Sequence, residues 1–322
     1  NAENRIEFDM DFDEIKNVFV EVYSDDQMAK RVDKRVSKIK SYKSQPLESL
    51  RQRGFATHFG QGTNSEKDIK LLKTAGVKLV RDEVYWNVVE QKKGVYRFDM
   101  GMTNWVDTLY ANGIESIVVL SYGNPLYFDK RAPVTPDEIK AYANYCKAVA
   151  EHFTNVKTFE VWNEPNVGGF WNGKPNADEY SNMLKAASNA IKEVRPDAKV
   201  VGGVVSDYRT AESFLKKMLE NDTYSCIDAV SIHPYYFYKD QDRSFFETRI
   251  NVNKGLVDNL GGFKDLLITE VGWSTRTSDN IWNSDKYYTN MNGKPYFEKD
   301  GNVCFTVTDE QQAEKLVTAQ VI

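Results

Sequence analysis

FEVWNEPNVGGFW, residues 159–171, is an apolar run that stops on Asn163, Glu164 and Pro165 and then breaks into Gly168 and Gly169. Proline biases the residue before it to an extended backbone and removes a ladder donor, so the run ends there. A carboxylate thus stands at the C-terminal end of a strand-like segment, KTFEVWN (157–163). For a single glutamate the plain alternative is a helix N-cap or an ion-pair partner. The surroundings of this strand decide between the readings.

Six other short apolar segments have the same form: 55–59 (FATHF), 77–82 (VKLVRD), 114–121 (IESIVVLS), 199–204 (KVVGGV), 228–233 (DAVSIH) and 265–270 (DLLITE). Segments of helical period lie between them. Thr135-Pro136-Asp137-Glu138 is a capping box with proline at the first helical position, followed by apolar residues at spacings of three and four. Asn176 opens another helix, which Pro196 ends; Ser65 opens one that Gly76 closes. Seven strand–helix units in series predict a parallel sheet covered on both faces. An open doubly wound sheet gathers its site at one switch point. Here polar residues end many strands: His58, Arg81 with Asp82, Ser121, Asn163 with Glu164, His233 and Glu270. That distribution favours a (β/α)8 TIM barrel, whose functional groups come from the ends of several strands. The sequence offers seven strands and no eighth. The expectation is a C-terminally truncated barrel over 51–322, lacking strand 8 and helix 8. Residues 1–50 read as an N-terminal β-strand remnant of another module, with strands within 5–22, plus a charged linker. The cluster at 30–43 reads as a solvated helix or linker.

Composition excludes several function classes. The net charge of −5 and a pI near 5.5 argue against a nucleic-acid partner. No apolar run reaches the roughly 18–20 residues that span a bilayer. Three histidines with no HExxH or CxxC argue against a metal site, and no glycine-rich phosphate loop supports a nucleotide, so no cofactor is expected. Cys146, Cys226 and Cys304 are far apart; Cys146 and Cys226 read as apolar packing residues. The chain opens on Asn1 rather than Met, so the lack of a secretory signal carries no weight.

LLITEVGWST, residues 266–275, repeats the pattern of the opening stretch: a strand ends on Glu270, and Gly272 and Trp273 follow. Strands four and seven of an eight-stranded barrel face each other across its mouth. Two carboxyl groups facing across a sugar-sized cleft are what glycoside cleavage requires, one protonated to serve the leaving oxygen and one ionised to attack the anomeric carbon.

WNEPN (162–166) with FW (170–171), SYGNPLY (121–127), HPYY (233–236), ITEVGWST (268–275) and TDEQQAEKL (308–316) together resemble clan A glycoside hydrolases, most closely family 39 and its family 5-like relatives, over about residues 54–322. The resemblance implies a retaining glycoside hydrolase acting on β-linked polysaccharides or oligosaccharides by double displacement, with Glu164 as acid/base and Glu270 as nucleophile. It further implies that Asn163 binds the sugar 2-hydroxyl, Tyr235 bonds the nucleophile, His233 lines the same side and Arg81 keeps the nucleophile anionic. A barrel ion pair for Arg81 and a satisfied core histidine for His233 are the alternatives. His58, Trp86, Tyr122, Asn124, Trp171 and Trp273 fall on loops at the same face and are candidate sugar contacts or packing residues. The long connection 276–307, with a hairpin turn at MNGKPYF, is expected to wall one end of the cleft. Rival readings are a non-catalytic carbohydrate-binding barrel and a transglycosidase using the same residues. The partner is a carbohydrate; the oligomeric state is unassigned. Secretion or a cell-surface location follows only from the substrate class.

Overall fold

The computed structural model describes residues 16–24, 27–36, 54–62, 66–129, 132–206, 210–235, 243–260, 264–273, 286–291, 294–299, 302–305 and 312. The chain divides into two compact units, 1–50 and 51–322. In the first, β1 (Lys16–Ser24) pairs antiparallel with β2 (Gln27–Val36), with Val20 opposite Val32. Residues 30–36 are therefore strand, not the solvated helix or linker expected of the basic cluster. The ladder explains this: β1 exposes a row of backbone donors and acceptors, and the adjacent segment satisfies them whatever its charge.

The second unit is built on one parallel sheet whose strand order is the chain order: β3 (Phe55–Ala56), β4 (Leu79–Tyr85), β5 (Glu115–Ser121), β6 (Thr158–Val161), β7 (Lys199–Ser206), β8 (Ala229–His233) and β9 (Asp265–Ile268). The order never reverses, so there is no doubly wound switch point. Between the strands lie α1 (Glu66–Thr74), α2 (Trp86–Val89), α3 (Trp105–Ala111), α4 (Pro136–His152), α5 (Ala177–Val194), α6 (Ala211–Met218) and α7 (Arg243–Asn259). Curvature follows from side-chain reach. In a flat sheet β4 and β9 would stand about 24 Å apart, five strand spacings. Yet Arg81 on β4 bonds Glu270 just after β9, and Glu160 on β6 bonds both Arg81 and Thr269. The sheet curls into the wall of a (β/α)-barrel, with seven strands among the described residues. The MNGKPYF turn joins β10 (Lys286–Met291) to β11 (Lys294–Lys299), with Met291 opposite Lys294, and β12 (Asn302–Phe305) completes a three-stranded antiparallel sheet. The TDEQ capping box at 308–311 lies outside the described residues.

Local signals account for the long helices. Thr135 Oγ1 accepts from Glu138 N while Glu138 reaches back to Thr135 N, and Asn176 accepts from Asp178 N and Glu179 N. The buried faces of α4 and α5 then supply tyrosine hydroxyls to carbonyls at the strand ends: Tyr142 to Leu120 at 2.6 Å, Tyr145 to Val84, and Tyr180 to Val161 at 2.9 Å. Burying Trp86 and Trp162 against these rings removes water from the outer layer, so an unpaired strand-end carbonyl would be costly there. The aromatic layer thus fixes the rim that carries the polar residues.

The turn after β3 is clamped to β4 through Asp82, which accepts from Thr57 Oγ1 at 2.6 Å, Phe59 N at 2.5 Å and Gly60 N at 3.3 Å. A Cβ at residue 60 would lie 2.3 Å from the Glu83 carbonyl oxygen, so only glycine admits this approach. Gly60→Ala is expected to lower unfolding stability by about 1–3 kcal/mol, read as a fall in urea midpoint without a change in slope. Arg81→Met strands the buried Glu160 carboxylate and is expected to cost about 3–5 kcal/mol at pH 7. Glu160 is held below the usual carboxylate range in the fold, so its contribution is present above its unfolded value and is lost as pH falls. The gap between wild type and Arg81→Met in thermal melts should therefore narrow from pH 7 to pH 4; a gap independent of pH would refute the assignment.

Candidate active site

Four strands deliver the site. Arg81, on β4, is buried and points inward: Nε donates to Glu160 Oε2 at 2.6 Å, Nη2 to Asn163 Oδ1 at 2.8 Å, and Nη1 to Glu270 Oε1. Asn163 turns its amide nitrogen to the Tyr122 hydroxyl at 3.0 Å. The Tyr235 hydroxyl, just past β8, donates to Glu270 Oε2 at 3.1 Å. His233 ends β8 fully buried, with Nδ1 3.0 Å from Glu164 Oε1 and 3.8 Å from Glu270 Oε2, and Nε2 3.0 Å from Thr269 Oγ1. One polar side-chain atom from each of Glu164, His233 and Glu270 lies within 4.8 Å of the other two.

The backbone bends sharply to present Glu164. Trp162 and Glu164 have φ of 70° and 49°, flanking Asn163, and Val204 opposite has φ of 49°. Non-glycine residues rarely adopt such values, and each costs on the order of 1–3 kcal/mol, so the surroundings must hold them. They do: Glu164 N donates to Val204 O at 3.0 Å, Trp162 N to Leu120 O at 3.2 Å, and Trp162 Nε1 to Phe170 O at 2.9 Å. Three successive side chains, Trp162, Asn163 and Glu164, thereby take different directions at the rim.

Charge is distributed unevenly. Burial alone would pull the Arg81 guanidinium down, but Glu160 and Glu270 outweigh it and the net shift is upward. Burial would raise the Glu160 carboxyl; the Arg81 guanidinium, aided by the hydrogen bond from Thr269, reverses this and holds it low. Tyr235 is raised by burial and then by Glu270, so its hydroxyl keeps its proton and donates. Glu83, two residues above Arg81 on the same side of β4, is pushed up to about 8, first by burial and then by Asp82.

Among the other residues singled out by sequence, Tyr122 joins the site through Asn163 and stacks on half-exposed Phe170 at 5.8 Å. Trp86, Asn124 and Trp171 are not brought to the glutamates. Trp86 is fully buried against Tyr127 and Tyr145, with Nε1 on Glu90. Asn124 Nδ2 bonds the Glu90 carbonyl at 2.8 Å, and Trp171 Nε1 bonds Glu179 at 3.1 Å. Trp86 and Asn124 brace the loop that follows β4 through Glu90, and Trp171 ties its loop to α5. His58 is exposed, with Nδ1 3.3 Å from Gln61 Nε2, and Trp273 is half-buried with its carbonyl taken by Gln312. Glu160 and Thr269 were not anticipated. A charged residue between Phe159 and Val161 in a buried strand was the available signal, because such a charge needs a partner.

Comparison with known proteins bears on the family and the fold. The family model described as glycosyl hydrolases family 39 matches residues 24–254. Over 95 residues the chain is 33% identical to a β-xylosidase of Geobacillus stearothermophilus, a stretch covering 27% of this chain and 19% of that protein. A family 39 glycoside hydrolase from Bacteroides cellulosilyticus WH2 superposes with a TM-score of 0.62 at 19% identity, over 83% of this chain and 58% of that one. A monomeric β-xylosidase from Caulobacter crescentus CB15 gives 0.56 at 19% identity, over 70% and 53%. The chain spans little more than half the length of these solved structures, and at such identity they speak for the barrel fold alone. The family match extends over more than half of the chain: the protein belongs to glycosyl hydrolases family 39.

Proposed function

We propose that the protein is a retaining β-glycosidase in which Glu164 is the acid/base and Glu270 the nucleophile. The observation that carries this is the spacing: carboxylate oxygens of the two residues approach within 4.8 Å. Retaining enzymes hold their carboxyl groups about 5–5.5 Å apart, whereas inverting enzymes need about 6.5–9.5 Å to admit a water. In the first step Glu164 gives its proton to the leaving oxygen while Glu270 attacks the anomeric carbon, breaking the glycosidic bond and forming a glycosyl ester. In the second, Glu164 takes a proton from water as that water displaces Glu270. Arg81 and Tyr235 both donate to Glu270, which limits its orientation. Asn163, held by Arg81, presents its amide beside the pair. The substrate is a carbohydrate, and the names of the relatives put β-xylosides first among candidates. Action outside the cell follows if that substrate is a polymer. No helix among the described residues is long and apolar enough to cross a membrane.

Aryl β-glycosides, β-xylosides first, test the reading. Glu164→Ala is expected to lower kcat by about 10²–10⁴-fold on poor leaving groups, with less effect on activated ones. Glu270→Ala should abolish turnover, and azide should restore it as a glycosyl azide of inverted configuration, whereas azide with Glu164→Ala should give the retained product. NMR of the products decides; an inverted hydrolysis product from wild type would refute double displacement. Sugar binding without turnover in any variant would point to a lectin-like barrel.

A further inference from the structure

The hydrogen bonds beneath the glutamate pair can be followed donor by donor. Glu160 is fully buried and held below the usual carboxylate range, so it is a carboxylate and can only accept. Thr269 Oγ1 lies 2.7 Å from Glu160 Oε1, and its single proton points there. The same oxygen has two more polar neighbours, Ser231 Oγ at 2.5 Å and His233 Nε2 at 3.0 Å. A hydroxyl has one donor and two acceptor positions. With the donor position directed at Glu160, Ser231 and His233 must both donate to Thr269. His233 therefore carries a proton on Nε2.

The consequence falls on the other ring nitrogen. Nδ1 faces Glu164 Oε1 at 3.0 Å, and a hydrogen bond of that length needs a proton between the atoms. In a neutral imidazole whose one proton is on Nε2, Nδ1 can only accept, and the proton between the two atoms then belongs to Glu164. We propose that the Glu160–Thr269–His233 chain is a proton-positioning relay, which locks His233 in the Nε2–H form and so keeps on Glu164 the proton that the first chemical step consumes. The proposal rests on the assignment of Glu164 as acid/base. Glu160, Thr269 and His233 are positioning residues here, acting through Glu164.

The relay suits both half-reactions. Once Glu164 has protonated the leaving oxygen, its carboxylate faces a lone pair on Nδ1 rather than a hydrogen, an unfavourable contact that favours recovery of a proton from the attacking water. If His233 could turn to the Nδ1–H form, it would donate to that carboxylate and stabilise the deprotonated state. The anchor of Glu160 on Arg81 fixes the far end of the chain and sets its direction. The charged and titratable groups around it are Arg81, Glu160, Glu164, Glu270 and Tyr235.

The test combines imidazole ¹⁵N NMR with pH profiles. The chain has only three histidines, so His233→Asn assigns the signal. In wild type, His233 should show the hydrogen on Nε2; in Thr269→Val the Nδ1–H form should appear. The alkaline limb of kcat/KM should move down by about one pH unit in Thr269→Val, with activity below that limb within a few-fold of wild type. Thr269→Ser should keep both the tautomer and the limb. Glu83 is also raised, by burial and by Asp82, so the comparison is repeated in Glu83→Gln, where the shift should persist. A wild-type His233 with a hydrogen on Nδ1, in the neutral or the doubly protonated ring, overturns the relay and leaves the glycosidase reading standing; this result is decisive even where Thr269→Val does not fold. A uniform loss of kcat at every pH in Thr269→Val also overturns it, as does a Thr269→Ser profile matching Thr269→Val. A locked tautomer with no turnover of any glycoside sinks the acid/base assignment instead.

Discussion

One buried guanidinium organises the inside of this barrel. Arg81 extends from β4 to Glu160 on β6, to Asn163 at the rim and to Glu270 beyond β9, with Glu160 carrying the connection on to Thr269. A cation and a carboxylate this deep would each be costly alone. Together they neutralise each other, and their remaining donors and acceptors are met by neighbours that belong to the site. Replacing the pair by apolar side chains of similar volume would remove this desolvation cost. It would also remove the reference point from which Asn163 and Glu270 are positioned. Here the buried ion pair is better understood as geometry than as stability.

The outer layer does the complementary work. Tyr142, Tyr145 and Tyr180 cap carbonyls at three strand ends from the helix side, while Arg81 ties three elements together from the barrel side. Between these two sets of constraints the chain tolerates positive φ at Trp162, Glu164 and Val204. Strain of that kind persists only where the surroundings over-determine the backbone. The rim of β6 and β7 meets the condition, since Glu164 N is bonded to Val204 O across it.

The strand count, the barrel topology and the two glutamates were legible because their signals are local. Short apolar runs end on polar residues, capping boxes mark helix starts, and a proline follows Glu164. What was not legible depends on which side of the rim a residue faces. Trp86, Asn124 and Trp171 stand in the right segments, but their polar atoms turn to Glu90, in the loop after β4, and to Glu179 on α5. Sequence spacing cannot separate a loop residue that faces the cleft from one that anchors the loop. Glu160 was missed for the opposite reason: it lies inside an apolar strand that reads as core, and its meaning appears only with partners 79 and 109 residues away. The basic cluster at 30–36 was misread because charge says nothing about backbone pairing, and the adjacent β1 supplies a ladder.

Glu164 and Glu270 are the same residue type within a few ångströms of each other, so any division of labour between them must come from their neighbours. Glu270 receives two hydrogen-bond donors, Arg81 and Tyr235. Glu164 has neither; its partner is the ring nitrogen of a histidine whose other nitrogen is committed to Thr269. Exchanging these environments would exchange the roles. The asymmetry begins with Arg81, because a single side chain both donates to Glu270 and holds the Glu160 carboxylate that orients the chain ending at Glu164. One cation buried under the barrel mouth is therefore enough to distinguish two chemically identical groups above it.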